Sequence, residues 1–218
     1  MKIGVLGTGM VGTTLASRLV ELGHEVTMGS REAGNPAALD WAGQAGERGH
    51  QSSFKGAAYF GELIVNATAG HASEQALERA GEENLSGKVL IDVANPIATG
   101  TGPPPELAFC NSESLGERIQ AAHPDARVVK ALNTVNAKVM ADPGSLPEPT
   151  SVFVCGNDAD AKQTVSELLE AFGWAPEQIV DLGLIEAARG TEMYLALWLR
   201  MMGAVGNPFF NVRLVRGE

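Results

Sequence analysis

Residues 7–12 read Gly-Thr-Gly-Met-Val-Gly, a run with glycine at its first, third and sixth positions. An apolar stretch at residues 2–6 precedes the run, and apolar side chains recur at helical spacing over residues 10–22. Gly23 ends that helix, and residues 24–28 form a second strand-like stretch. This order predicts a strand, a tight turn, a helix and a parallel strand, so the chain begins with a βαβ unit.

A glycine run in this setting is typical of a loop that binds the pyrophosphate of a dinucleotide. Gly7 makes the tight turn, Gly9 lets the backbone approach the pyrophosphate, and Gly12 allows the helix to pack closely on the strand. The helix N-terminus adds free N–H groups and a dipole that favours an anion. A purely structural glycine turn is the alternative. The candidate cofactor-binding residues of this loop are Gly7, Thr8, Gly9, Met10, Val11 and Gly12.

Short apolar strands continue to alternate with helical segments along the rest of the chain. This alternation predicts an α/β fold with a doubly wound parallel sheet of the Rossmann type. We expect a dinucleotide-binding domain over residues 1–183 and a small C-terminal helical part over residues 184–218. The predicted strands are residues 2–6, 24–28, 62–67, 88–93, 127–132, 151–155 and 177–182, and the predicted helices are residues 10–22, 36–48, 72–81, 113–122, 158–172 and 185–204.

Composition excludes several classes of function. The 218 residues carry 16 basic and 26 acidic side chains, a net charge of −10, which disfavours binding to nucleic acid or to an anionic membrane surface. Two cysteines and four scattered histidines form neither a disulfide framework nor a metal-binding pattern, and Cys155 is predicted to be a buried strand thiol. No apolar run approaches about 18 residues and no signal segment is evident, so we expect a soluble, cytoplasmic protein.

The end of the second strand indicates which dinucleotide binds. NAD-binding chains place a carboxylate about 20 residues after the glycine run, where it binds the ribose 2′-hydroxyl. Here the strand ends in Gly29-Ser30-Arg31. Ser30 can donate to a 2′-phosphate, and Arg31 can pair with it or stack on adenine. The sequence favours NADP over NAD, although Glu32 lies one residue later and Arg31 could instead be an ordinary solvated charge.

Small and polar residues follow the later strands, at the edge of a parallel sheet where ligands bind. His71 either reaches the nicotinamide end or caps the following helix, and the Gly/Pro-rich residues 99–105 form either a mobile rim or a plain surface loop. The candidate binding residues at this edge are Ala67, Thr68, Ala69, His71, Asn95, Pro96, Asn133, Thr134 and Val135.

No residue stands out as a general acid, a general base or a nucleophile. The chain has no G-x-S-x-G motif, and the K-x-x-N spacing of Lys130 and Asn133 falls on a strand, which disfavours a role in proton transfer. Hydride transfer between two bound rings needs only carbons held about 3–3.5 Å apart and the exclusion of water. We therefore predict no catalytic side chain and no metal.

The chain resembles the NADPH-dependent reductases of the deazaflavin coenzyme F420, the F420:NADP oxidoreductases, over nearly its whole length. The segments that carry the resemblance are residues 7–12, Gly29-Ser-Arg31, Val129-Lys-Ala-Leu-Asn-Thr-Val135 with Ala137, Val152-Phe-Val-Cys-Gly156, and Asp181-Leu-Gly-Leu184 with Ala187 and Arg189.

This resemblance implies a dimeric Rossmann-type protein in which NADP lies along the strand ends and the deazaflavin stacks on the nicotinamide. It implies that residues 184–218 complete the acceptor site and contact the partner of a homodimer. By the same resemblance, Thr8, Ser30 and Arg31 would hold the adenosine and phosphates, Ala67, Thr68 and Ala69 would line the nicotinamide side, and Asn133, Thr134 and Val135 would lie beneath both rings.

The predicted function is that of a cytoplasmic oxidoreductase that moves hydride between NADP(H) and coenzyme F420, both small molecules. One alternative is an NADPH-dependent reductase of a flavin, a ferric chelate or a small carbonyl. Another is a module that senses NADPH without turnover. The apolar segment around Trp198 would wall a flat aromatic ligand or a dimer interface, or would simply be core helix.

Overall fold

The structure, a computed structural model, describes residues 1–217, and in these residues eight strands form a single sheet. The strands are β1 (Lys2–Leu6), β2 (Glu25–Ser30), β3 (Gly49–Ser53), β4 (Leu63–Asn66), β5 (Val89–Asp92), β6 (Arg127–Ala131), β7 (Val152–Gly156) and β8 (Ile179–Asp181). Their order across the sheet is β3-β2-β1-β4-β5-β6-β7-β8. Neighbouring strands are parallel except β6 and β7, which are antiparallel.

Helices cover both faces of the sheet. Leu15, Trp41 and Val165 belong to the core on one face, and Leu77 and Ile119 belong to the core on the other. The doubly wound α/β fold is therefore confirmed, with parallel pairing everywhere except between β6 and β7. The helices are α1 (Met10–Glu21), α2 (Pro36–Ala45), α3 (Phe54–Phe60), α4 (Gly70–Ala80), α5 (Glu82–Leu85), α6 (Leu115–Ala122), α7 (Ala137–Ala141), α8 (Ala159–Phe172) and α9 (Ala188–Val205).

Four of these elements are absent from the prediction. β3 is an edge strand with the sequence Gly-His-Gln-Ser-Ser, which lacks the apolar alternation of a buried strand. α3 follows it directly, begun by Ser53, whose side chain accepts from the Gly56 N–H. α5 and α7 have four and five residues, too few for a periodic pattern to be visible. Tertiary pairing, rather than local sequence pattern, defines this part of the fold.

The antiparallel pairing of β7 follows from the route of the chain after β6. The connection does not return to the amino edge of the sheet. Instead, α7 lies at the carboxyl edge, where Ala137 and Met140 line the same cavity as residues that follow β4 and β5. The chain therefore re-enters the sheet from that edge, and β7 runs opposite to β6 with Ala131 facing Val154.

A fully buried cluster of charged side chains lies behind the sheet's carboxyl edge. Lys130 Nζ on β6 is 2.7 Å from Asp92 Oδ2 on β5 and 2.7 Å from Glu192 Oε1 on α9. Burial by itself disfavours the charged form of Lys130, but the two carboxylates outweigh it and raise its pKa, so the lysine stays charged. Glu192 also accepts from the N–H groups of Leu115 and Gly116, the first two residues of α6. The cluster thus joins two strands and two helices.

Residues 1–217 contain no helix that combines the length and the hydropathy needed to cross a bilayer. The same residues bring no three His, Cys, Asp or Glu side chains together in a way that could hold a metal ion. Cys155 is free and buried, as predicted, and burial raises the pKa of its thiol to about 12. It is therefore an unreactive core residue.

We predict that Lys130→Met lowers the free energy of unfolding by about 3–5 kcal/mol, because it leaves two carboxylates buried without their counter-ion. Urea unfolding measures this loss. The matched control is Lys55→Met, which removes one partner of the exposed pair Lys55–Glu83 and should leave the urea midpoint essentially unchanged. Equal, small effects of the two substitutions would contradict this role of the buried cluster.

Candidate functional site

The glycine run forms a tight turn, and two of its three glycines stand where any side chain would collide with the backbone. Gly7 has a φ of +124°, and a Cβ there would collide with the carbonyl oxygen of Ala67. A Cβ at Gly12 would collide with the carbonyl oxygen of Gly7. Gly12 therefore keeps the turn close to the helix. At Gly9, by contrast, a Cβ would meet no atom within 4 Å, so this backbone faces open space.

That open space lies at the N-terminus of α1. Gly9 is the N-cap residue and provides no side-chain acceptor, and the first intrahelical bond runs from the Thr13 N–H to the Gly9 carbonyl at 2.9 Å. The N–H groups of the first turn have no intrahelical partner. Their orientation and the helix dipole favour an anionic group in front of the turn. The geometry fits the pyrophosphate of a dinucleotide.

A first cavity of about 370 Å³ extends from this turn across the end of β2. Ser30 is 4% exposed, and its hydroxyl donates to the Glu32 carbonyl at 2.5 Å. Arg31 is exposed and forms no ion pair with any described residue. Arg31 is thus the more available of the two for an added phosphate. The predicted residues that line this cavity are Gly7, Thr8, Gly9, Ser30, Arg31, Ala67, Thr68, Ala69 and His71.

A second cavity of about 410 Å³ lies at the carboxyl ends of β4, β5 and β6. Within residues 1–217, every side chain that lines it is uncharged. α9 closes the side opposite the strand ends with Leu195 and Trp198. The predicted residues that line it are Met10, Val11, Ala67, Thr68, Ala69, Asn95, Asn133, Thr134 and Val135. Because Ala67, Thr68 and Ala69 line both cavities, the two cavities adjoin at the end of β4.

His71, Pro96 and the loop at residues 99–105 do not line the second cavity. His71 lies on the first cavity, beside the end of β2, and α4 begins at Gly70 without a side-chain cap. Pro96 is buried and lines neither cavity; with Asn95 it packs against Gly70, where a Cβ would collide with the Asn95 carbonyl. The exposed loop at residues 99–105 borders a separate groove, in which Gly102 and three prolines face Leu199 and Arg200 of α9.

Two loops of the second cavity are tied together by a reciprocal amide pair. Asn95 Nδ2 donates to the Asn133 carbonyl at 2.7 Å, and Asn133 Nδ2 donates to Asn95 Oδ1 at 2.9 Å. Just before Asn133, Leu132 adopts a φ of +63°, a backbone conformation that non-glycine residues rarely hold. The Val135 N–H closes this turn on the Leu132 carbonyl at 3.1 Å. Backbone strain at this position costs about 1–3 kcal/mol and is typical of functional loops.

The site also depends on residues that the sequence prediction does not include. Asn66 and Asp92 lie at the ends of β4 and β5 and are fully buried, although polar side chains that close apolar strands are visible in the sequence. Leu195 lies one turn after Glu192 on the buried face of α9. The apolar pattern around Trp198 left open whether α9 reaches the strand ends, and in the structure the buried contact of Glu192 with Lys130 holds it there.

Known proteins resemble this chain over most of its length. The family model described as NADP oxidoreductase, coenzyme F420-dependent, matches residues 2–96. The F420-dependent NADP reductase of Methanocaldococcus jannaschii is 30% identical over 201 residues, which cover 88% of this chain and 88% of that protein. A crystal structure is known for a provisionally assigned F420-dependent NADP reductase from Arthrobacter sp. FB24, whose sequence is 47% identical to this chain. The two structures superpose with a TM-score of 0.93 over 99% of this chain and 100% of that chain.

A longer protein also matches. Metalloreductase STEAP3 of Rattus norvegicus is 30% identical over 201 residues, which cover 92% of this chain. The chain spans 37% of the length of that protein.

We predict that Gly9→Val weakens NADPH binding by about 100-fold, or about 2.7 kcal/mol, because the side chain fills the space in front of the α1 N-terminus. The backbone at Gly9, with φ −80° and ψ −179°, suits valine, so the fold should persist. NADPH fluorescence titration gives the affinity, and circular dichroism gives the fold.

The matched control is Gly43→Val on the exposed side of α2, where a Cβ also meets no atom within 4 Å. This variant should bind NADPH like the wild type. Tight binding by the Gly9 variant would end the phosphate-loop assignment.

Proposed function

Because the chain belongs to the coenzyme F420-dependent NADP oxidoreductase family, we propose that it transfers hydride directly between NADP(H) and the deazaflavin of coenzyme F420. One observation carries the proposal. A glycine turn suited to phosphate lies beside a cavity of about 410 Å³, and the described residues that line this cavity all have uncharged side chains. That volume suits ring-sized ligands, and the walls suit flat aromatic rings rather than charged groups.

The nucleotide half of the site is proposed to bind NADP(H) through the α1 N-terminus and the end of β2. The free N–H groups of the first turn would hold the pyrophosphate beside Gly9. Arg31 would pair with the 2′-phosphate, and Thr8, Ser30 and His71 would line the adenosine end. Met10 and Val11 border the second cavity and would contact the nicotinamide end.

The acceptor half is proposed to lie between the strand ends and α9. Asn133, Thr134 and Val135 would form its floor, and Trp198 would form the facing wall. In this proposal residues 184–218 complete the acceptor site, with Glu218 outside the described residues. Met193 and Leu197 on α9 are 44% and 55% exposed, and the second copy of a homodimer would cover them.

Bound NADPH supplies a hydride from its nicotinamide ring. The residues of this chain would bind the two rings, orient them and keep water out of the space between them. The second cavity offers no ionisable side chain, which fits a reaction that needs no acid or base from the protein. Backbone N–H groups near residues 68–71 and 133–135 would stabilise charge on the acceptor.

We predict that Arg31→Ala weakens NADPH binding by about tenfold and leaves NADH binding unchanged, because it removes a charge-assisted hydrogen bond to the 2′-phosphate. Parallel titrations with the two nucleotides measure the selectivity. Arg79→Ala, which removes an exposed arginine near the end of α4, is the matched control and should change neither affinity. An equal loss for NADPH and NADH in the Arg31 variant would contradict the assignment.

The reaction itself is tested by mixing the protein with NADPH and oxidised coenzyme F420 and following the deazaflavin absorbance. We expect rapid bleaching with NADPH and far slower bleaching with NADH. The match to a metalloreductase makes a ferric chelate or a flavin the second candidate acceptor, to be supplied in parallel reactions. If the protein reduces a ferric chelate or a flavin but not coenzyme F420, that acceptor takes the place of coenzyme F420 as the substrate. NADPH binding without reduction of any acceptor would favour a sensor.

A further inference from the structure

Thr68 lies at the junction of the two cavities. It follows β4 by two residues, is half-buried and lines both the first and the second cavity. Its hydroxyl belongs to a chain of hydrogen bonds that begins at the buried charges behind the sheet. The direction of every bond in that chain can be worked out from chemistry.

The direction is set at Asp92. Lys130 Nζ lies 2.7 Å from Asp92 Oδ2 and holds the aspartate as a carboxylate, which can only accept hydrogen bonds. The buried side chain of Asn66 must therefore present its NH₂ group to Asp92, and Nδ2 donates to Oδ1 at 2.8 Å. The opposite amide orientation would place two oxygens against each other. Asn66 Oδ1 consequently faces the loop after β4 as an acceptor.

Thr68 uses its only hydroxyl proton on that acceptor. Its Oγ1 donates to Asn66 Oδ1 at 2.6 Å, and its N–H donates to the same oxygen at 3.3 Å. Ser73 Oγ lies 2.9 Å from Thr68 Oγ1 and 3.4 Å from the Ala69 carbonyl oxygen, so Ser73 can donate to either atom but receives no proton from Thr68. Thr68 Oγ1 thus accepts at most one hydrogen bond within the chain of bonds. A hydroxyl oxygen accepts two hydrogen bonds. One acceptor position of Thr68 Oγ1 is therefore left for a donor from outside the chain.

We propose that Thr68 Oγ1 accepts a hydrogen bond from the carboxamide N–H of bound nicotinamide, and that Lys130, Asp92 and Asn66 fix this polarity from behind the sheet. The carboxamide is the only N–H group on the nicotinamide ring, so the bond selects the amide and orients the ring about its glycosidic bond. This inference rests on the nucleotide half of the proposed function. It does not depend on the identity of the acceptor.

The test compares equilibrium binding of NADP⁺ with that of its 3-acetylpyridine analogue, in which a methyl group replaces the amide NH₂. The wild-type protein should bind NADP⁺ about fivefold to tenfold more tightly than the analogue. Thr68→Val, which keeps the shape and loses the hydroxyl, should bind the two nucleotides equally. Thr68→Ser, which keeps the hydroxyl, should retain the preference. Isothermal titration calorimetry gives all six dissociation constants without turnover.

The matched control is Thr134→Val, another buried threonine that lines the second cavity. Any loss in this variant should fall equally on NADP⁺ and the analogue, so the preference is kept. Thermal unfolding of each variant verifies the fold, because Asn66 Oδ1 keeps the Thr68 N–H as a donor when the hydroxyl is removed.

The outcomes separate this inference from the proposed function. A preference for NADP⁺ that survives in Thr68→Val, or that is absent in the wild type, would overturn the role of Thr68 while leaving nucleotide binding intact. Failure of the wild type to bind NADP⁺ at all would overturn both.

Discussion

The buried ion pairs of Lys130 with Asp92 and Glu192 hold together the strands and helices that surround the candidate site. Lys130 holds Asp92 and Glu192 at 2.7 Å each and donates to the Ala94 carbonyl at 2.6 Å. Removing these charges from water is costly, and the cost is offset only while every member keeps its partners. The cluster therefore allows one arrangement of β5, β6, α6 and α9. Leu195 and the wall of the second cavity follow from the position that Glu192 gives to α9.

Hydrogen bonds connect the same cluster to the loops on both sides of the site. Through Asn66 it reaches Thr68, and through the Ala94 carbonyl and the Asn95–Asn133 pair it reaches the loop after β6. The loops that follow three neighbouring strands are thus positioned by hydrogen bonds rather than by packing alone. A site built this way has little freedom to rearrange, which suits a reaction controlled by the distance and angle between two rings.

Charge is distributed unevenly along the site, and the distribution matches the proposed chemistry. The first cavity combines a helix N-terminus with Arg31 and is suited to phosphates. Among the described residues, none that lines the second cavity is charged, although the chain has a net charge of −10. In the proposed reaction, a chamber of low polarity would keep water away from the hydride, and amide and hydroxyl groups such as those of Thr68 and Asn133 would orient the rings.

The βαβ start, the glycine turn and the alternation of strands with helices along the chain could all be predicted from the sequence. These features depend on the local spacing of apolar residues and on glycines at a turn where a side chain would collide. The sequence also located the small and polar residues that follow β4, β5 and β6. It could not reveal β3, whose polar residues become a strand only by pairing with β2. Nor could it decide whether the segment around Trp198 lines the site or packs as core helix, or show that β7 runs antiparallel to β6. Those features were decided by tertiary structure, since they arise from contacts between residues far apart in the chain, above all between Lys130 and Glu192.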